Sequence, residues 1–307
     1  MTRPGGGTVT VTGASGFVGA HVVELLHERG LEVVGVVDQD DPAGEADDLV
    51  IADLAAGFPA EALSDVVIHL AGLTAVGPSF AEPQRYLESN SAMVTHLCET
   101  VLSSGRPVRT LVAGSAAVYG GASGDTPLDE SAPLRPASPY AVSKVLVEYQ
   151  VGYYRTRGLD AVVMRPFGSL GPGQGTGFLV PDLTAKVQAL APGEPLPTGP
   201  LDMERDYTDV RDVARAYVEV ALAERPAHDV YNVASGRAVA VHDILALVCA
   251  SLGRPVPALA IDPARARAAD PSRVVGDASR LRREFGWTPR IPLATSITDY
   301  HEGLEQA

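Results

Sequence analysis

The chain has 307 residues, with 24 Lys and Arg against 38 Asp and Glu, a formal charge of −14. That balance argues against nucleic acid as a primary partner, yet leaves room for a phosphorylated ligand held in a local basic pocket. No apolar run reaches membrane-spanning length, residues 1–7 carry no apolar signal region, and seven scattered histidines lack metal-ligand spacing, so neither membrane nor metal is expected.

Residues 8–12 (TVTVT) alternate β-branched side chains, as a strand should. Gly13-Ala14-Ser15-Gly16-Phe17-Val18-Gly19 follows, and Val18, Val22, Leu25 and Leu26 then recur at helical spacing up to Gly30, a helix terminator. Strand, glycine turn and helix in this order are the context of a dinucleotide fingerprint. The glycines let the backbone approach a pyrophosphate, and the helix N-terminus offers it N–H donors. A second strand, 32–37, ends at Asp38, nineteen residues beyond Gly19. A carboxylate there accepts from both ribose hydroxyls and repels a 2′-phosphate, so NAD(H) is favoured and NADP(H) stays open as the second choice. No Arg or Lys stands between Leu31 and Arg85 to receive that phosphate. Asp53, after the apolar run 49–52, reads equally as a contact for the adenine edge or as a solvated turn acid.

Further strands are expected at 66–71, 108–113 and 161–165, with helices near 82–103 and 139–157, the succession of a parallel doubly wound sheet. Cys98 and Cys249 each sit in an apolar helical pattern and read as core thiols of a reducing, cytoplasmic compartment. After Arg165 the composition shifts to Gly and Pro (168–177, 192–200), and helices are expected at 209–223 and 241–252. A short strand at 229–233 could return to the main sheet. The expected organisation is a dinucleotide-binding domain over 1–166, joined by 207–235, with a smaller lobe made of 167–206 and 236–307.

The most informative stretch runs from Ser115 to Lys144. Pro139 is placed to open a helix, and Tyr140 and Lys144 stand four apart, on one face of it. A phenol beside an ammonium should have its pKa lowered and so serve as a proton donor or acceptor near neutral pH. Ser115 falls at the end of a predicted parallel strand, where such sheets bind ligands; a capping or turn serine is the plainer alternative.

Together these residues resemble the extended short-chain dehydrogenase/reductase family of nucleotide-sugar epimerases, dehydratases and reductases. The resemblance implies an α/β fold, a Rossmann-type doubly wound parallel sheet with a smaller α/β C-terminal substrate-binding lobe. By resemblance, Ser115, Tyr140 and Lys144 are the catalytic set. Tyr140 passes a proton to or from the sugar C4 oxygen, Ser115 hydrogen-bonds that oxygen, and Lys144 holds the nicotinamide ribose. The cofactor set implied is Gly13, Gly16, Phe17, Val18, Gly19, Asp38, Asp53, Leu54, Leu70, Ala71 and Gly72, together with Tyr140 and Lys144. A nucleotide-diphosphate sugar is the implied partner, touched by Thr74, Ser115, Ala116, Tyr140, Gly168 and Val180. Arg205, in Arg-Asp-Tyr-Thr-Asp, and Arg267, before Asp270-Pro271, match family arginines that suit its diphosphate, with Arg265 as the alternative to Arg267.

The family's 4,6-dehydratases place an acid after the catalytic Ser or Thr; Ala116 and Ala117 stand here, and methyl groups do no proton chemistry. Two readings follow. Gly171-Pro172-Gly173-Gln174, Gly177-Phe178, the run from Arg205 to Asp212, Val230-Tyr231-Asn232-Val233 and Gly286-Trp287-Thr288-Pro289 resemble the 4-ketoreductases of deoxysugar pathways, which comes first. The run from Ala71 to Gly77 resembles nucleotide-sugar 4-epimerases, although Thr74 replaces their lysine and Gly168 a common asparagine. A non-catalytic NAD(H)-sensing protein is a minor third reading, since such proteins usually lose the tyrosine or lysine. In relatives the two helices near 82–103 and 139–157 form a four-helix dimer bundle, so a homodimer is expected.

Overall fold

Strand-length apolar runs separated by helix-length amphipathic ones leave a parallel sheet, helices on both faces, as the arrangement that buries them all. The computed structural model describes residues 7–38, 45–120, 126–262 and 272–306. The first half runs β1 (Thr8–Thr12), α1 (Phe17–Glu28), β2 (Glu32–Val37), β3 (Asp48–Ile51), β4 (Val66–His69), α2 (Val76–Ser79), α3 (Pro83–Ser104), β5 (Arg109–Ala113), α4 (Pro139–Thr156) and β6 (Asp160–Pro166). Then come β7 (Gly168–Leu170), α5 (Leu179–Ala189), β8 (Leu196–Thr198), β9 (Glu204–Arg205), β10 (Tyr207–Asp209), α6 (Val210–Ala221) and β11 (Val230–Val233). The chain closes with β12 (Val239–Ala240), α7 (Val241–Ser251), β13 (Leu259–Ile261), β14 (Arg273–Val274), α8 (Ser279–Phe285) and α9 (Leu293–Gln306).

Seven strands form one sheet in the order β11-β6-β5-β4-β1-β2-β3, every neighbouring pair parallel. The sequence expectation of such a sheet holds, and β11 does rejoin it, Val230 opposite Val163 and Val233 opposite Pro166. Helices α1 and α6 pack together, as do α3 and α4. Each pair lies over its own apolar cluster, one centred on Val11, Leu26, Ile68 and Tyr217, the other on Val67, Leu97, Cys98 and Val151. A third cluster joins α5, α7 and α9 through Leu183, Ile244, Cys249 and Ile297. Both cysteines are free and buried. Among the described residues no helix is long and apolar enough to cross a membrane.

The small sheets β7–β10, β12-β9-β14 and β8–β13 have strands of two or three residues. Asp206 ties them to the main sheet: its buried carboxylate accepts from Ser235 N and Oγ, Gly236 N and Gly276 N at 2.6–3.1 Å. The order of the main sheet reverses between β1 and β4, and that switch point at the carboxyl edge is where the site lies.

Candidate active site

A cleft of about 1270 Å³ opens at this edge, bounded on the far side by β7, β9, β10 and the start of α5. Its floor is the turn between β1 and α1. Gly13 has φ +67°, Gly16 N donates to Gly13 O at 3.0 Å, and a Cβ on Gly19 would lie 1.9 Å from the same oxygen. The third glycine is therefore fixed by helix-on-turn packing as much as by backbone freedom. Helix α1 starts after Gly16 with no side chain capping it, which leaves its first N–H groups to a ligand.

Among the described residues, every cofactor or substrate residue named from the sequence lines this cleft except Lys144. Lys144 lies behind the wall, its Nζ 3.7 Å from where a Cβ on Gly72 would be. Arg267, like Arg265, lies outside the described residues. Asp38 stands exposed at the end of β2. Asp53 is exposed in a turn, where its Oδ1 accepts from Ala55 N at 2.9 Å, and it borders the cleft.

The chemical group sits between β5 and α4. Ser138 caps α4 by accepting from Ala141 N at 3.1 Å, and Pro139 follows as the first helical residue, so Tyr140 falls in the first turn. Ser115 does two jobs. Its Oγ accepts from Ala117 N at 3.1 Å, starting the turn 116–119, and its side chain lies near enough to Tyr140 to pull the phenol pKa down. Tyr140 is only 7% exposed.

The expected effect of Lys144 on the phenol needs correction. Burial raises the Tyr140 pKa, Ser115 works against this, and Tyr86, edge-on at 6.5 Å, adds to it. Lys144 turns instead to the Ala113 carbonyl at the end of β5, donating at 2.8 Å. A buried ammonium needs an acceptor, and the strand end supplies one. Burial brings Lys144 down to about 8, opposed by the charge of Glu148 one turn along α4. His69, fully buried with its Nδ1 2.8 Å from Thr12 Oγ1, is held down to about 3 by burial and by Lys144, and stays neutral.

Two features were missed in the sequence. Asn90, inside α3, clamps the loop after β4: its Oδ1 accepts from Leu73 N at 2.8 Å, and its Nδ2 donates to Leu73 O and to Ser143 Oγ. Nothing in its helical surroundings marks it, because every partner is distant in sequence. The second is a buried polar chain beneath the site. Arg165 makes a bidentate pair with Glu148 at 2.8 and 2.6 Å and donates to Tyr119 Oη, which donates to Asn232; Asn232 N donates to Glu130, whose carboxylate meets Arg280.

On the far wall Val180 is buried; on the side of the main sheet Thr74 is exposed and Ala116 is buried, both lining the cleft. Arg205 has no carboxylate partner among the described residues; its guanidinium reaches the Glu204 carbonyl at 2.8 Å and the Met203 sulfur at 3.7 Å. The arrangement offers a dinucleotide cradle, a hydroxyl pair able to exchange a proton with a substrate oxygen, and across the cleft a cation with no carboxylate partner among the described residues.

Residues 9–234 match the NAD dependent epimerase/dehydratase family. The chain is 34% identical over 294 residues to a GDP-6-deoxy-D-mannose reductase of Pseudomonas aeruginosa, covering 94% of this chain and 93% of that protein. It is 31% identical over 321 residues to a UDP-glucose 4-epimerase of Streptomyces lividans, with 96% and 95% covered. Two solved structures share the fold across 98% of this chain and 99% of theirs. MoeE5 in complex with UDP-glucose and NAD gives a TM-score of 0.84 at 31% identity, and RMD from Pseudomonas aeruginosa complexed with NADPH gives 0.83 at 28%. With a sheet order, a glycine turn and relatives that agree over nearly the full length, the chain belongs to the NAD dependent epimerase/dehydratase family.

Proposed function

We propose that this protein reduces a nucleotide-diphosphate 4-keto-6-deoxyhexose to the 4-hydroxy sugar in the cytoplasm, using NAD(H) in preference to NADP(H). The observation that carries this reading is the buried Tyr140–Ser115 pair facing the same cleft as the glycine turn. The glycine turn from Gly13 to Gly19 would hold a dihydronicotinamide dinucleotide, which when bound would supply the hydride for the sugar C4 carbon. The chain's own part is to handle the oxygen. Ser115 hydrogen-bonds it, and Tyr140 delivers its O–H proton as negative charge builds. Burial keeps that phenol protonated, as the donor's part in a reduction requires. Lys144, charged at neutral pH, stands behind Gly72 to hold the cofactor ribose and refill the proton. Ala116 and Ala117 in the cleft offer no acid for 4,6-dehydration.

Asp38 supports NAD(H), since it borders the cleft at the end of β2 and no basic residue stands between Leu31 and Arg85. The same residue also fits a second reading, a 4-epimerase that keeps NAD bound, and a UDP-glucose 4-epimerase is among the relatives. We assign 1–166 with 207–235 to the dinucleotide, and 167–206 with 236–307 to the nucleotide sugar. A homodimer completes the proposal. Val142, Leu146, Tyr149 and Tyr153 form one stripe of α4 with 41%, 39%, 71% and 57% exposure, apolar area that a second copy of the α3–α4 pair would cover.

The test is turnover. NADH and NADPH are supplied with GDP- and TDP-4-keto-6-deoxyhexoses; NADH oxidation is expected, and Tyr140→Phe should cut kcat by roughly 10²–10⁴ while NADH affinity holds. Protein that purifies with stoichiometric NAD and interconverts UDP-hexoses without added cofactor would replace the reductase reading by the epimerase.

A further inference from the structure

Residue 168 opens β7 on the wall of the cleft and pairs with Tyr207 of β10. A Cβ at 168 would lie 2.7 Å from Tyr207 Cδ1, 3.0 Å from Cε1 and 2.9 Å from the Asp206 carbonyl oxygen. The tyrosine ring thus fills the volume that any side chain at 168 would need. Backbone alternation accounts for its direction. Asp206 turns its carboxylate into the Ser235–Gly236–Gly276 donors, so its neighbours Arg205 and Tyr207 share the other side, which borders the cleft.

Burial pushes the Tyr207 phenol up to about 12, with Arg205 pulling the other way, so the hydroxyl remains a donor throughout the neutral range. Among the described residues that hydroxyl has no protein hydrogen-bond partner. A half-buried donor without an acceptor, two residues from a guanidinium without a carboxylate, is a pair built for an anionic oxygen.

We propose that Tyr207 is a substrate-binding residue whose hydroxyl donates to a diphosphate oxygen of the nucleotide sugar beside Arg205, and that glycine at 168 is what makes room for it. The inference rests on the nucleotide-sugar reading above and adds the group that grips the diphosphate.

Full-length parent, Tyr207→Phe and Gly168→Ala are titrated calorimetrically with UDP, UDP-glucose and GDP-mannose, and with NADH as the control for an intact fold. Tyr207→Phe should weaken UDP and both sugar nucleotides by the same factor, roughly tenfold to a hundredfold, because it removes a hydrogen bond to a charged group. Gly168→Ala should do the same by displacing the ring, and NADH should bind all three proteins alike. Tyr207→Phe protein that binds UDP as tightly as the parent overturns the proposal and leaves the proposed function standing. Loss confined to the sugar nucleotides, with UDP unaffected, overturns the diphosphate contact. A parent that binds NADH but none of the three probes overturns the nucleotide-sugar reading and this proposal with it.

Discussion

Replacing Lys144 with methionine should stabilise the fold at neutral pH while destroying the site's chemistry. Lys144 is 4% exposed, and burial brings it from 10.5 to about 8. At about 1.4 kcal/mol for each pH unit, the charged form is disfavoured in the fold by about 3 kcal/mol. Below pH 8 the lysine is protonated in both folded and unfolded chains, and the fold bears the whole penalty. Between 8 and 10.5 the unfolded chain binds more protons than the native one, so the parent gains stability as pH rises through that window. Methionine carries no charge to desolvate, but it strips the Ala113 carbonyl of the donor now at 2.8 Å, at a cost of about 1–2 kcal/mol. The net expectation at about pH 7 is a gain of about 1–2 kcal/mol, falling by about 2 kcal/mol at about pH 10, where the parent has shed its penalty. Urea unfolding of both proteins at the two pH values measures this. A difference between them that does not move with pH would refute the reasoning, whatever its size.

Gly19→Ala places a methyl 1.9 Å from the Gly13 oxygen and must push α1 off its turn, so NADH affinity should drop at least about tenfold in a fluorescence titration; parental affinity would show that the turn does not carry the cofactor. Asp38→Arg should shift the ratio of kcat/KM for NADPH over NADH upward by about tenfold or more, read in steady-state assays. An unchanged ratio would mean that Asp38 does not meet the ribose. Leu146→Glu with Tyr149→Glu sets two charges in the exposed stripe of α4 and should convert a dimer to monomers in light scattering; an unaltered mass argues for another interface.

What the sequence made legible is what has a local signature. Gly16 and Gly19 are imposed by contacts within one turn and Gly13 by its positive φ, so their spacing survives in the string. Tyr140 and Lys144 share a helix, and Pro139 with Ser138 marks its start. Strands β1, β4 and β5 are each built on an apolar or β-branched run, at 8–12, 66–68 and 110–113. The opposite holds for residues whose partners are far away. Asn90 reaches Leu73 and Ser143, and Arg165 reaches Tyr119 and Glu148, and no spacing announces such pairs. The direction of Lys144 was misread for the same reason: helix geometry puts it beside Tyr140, but the acceptor that wins is a carbonyl of a strand thirty-one residues earlier. Strands of two or three residues such as β9 and β12 are too short to show a period at all.

The position of β11 also has a consequence for how the protein is made. Strand β6 ends at Pro166, and its outer neighbour begins at Val230, so the ribosome must add about 64 residues before that edge is closed. At about 5–20 residues per second, Val163, Met164, Arg165 and Pro166 stay unpaired on one side for about 3–13 s. An apolar strand with an open edge is a template for the same strand of another nascent chain. Synonymous codons that slow translation between 166 and 230 should therefore raise the insoluble fraction, whereas the same delay placed after 233 should leave it unchanged.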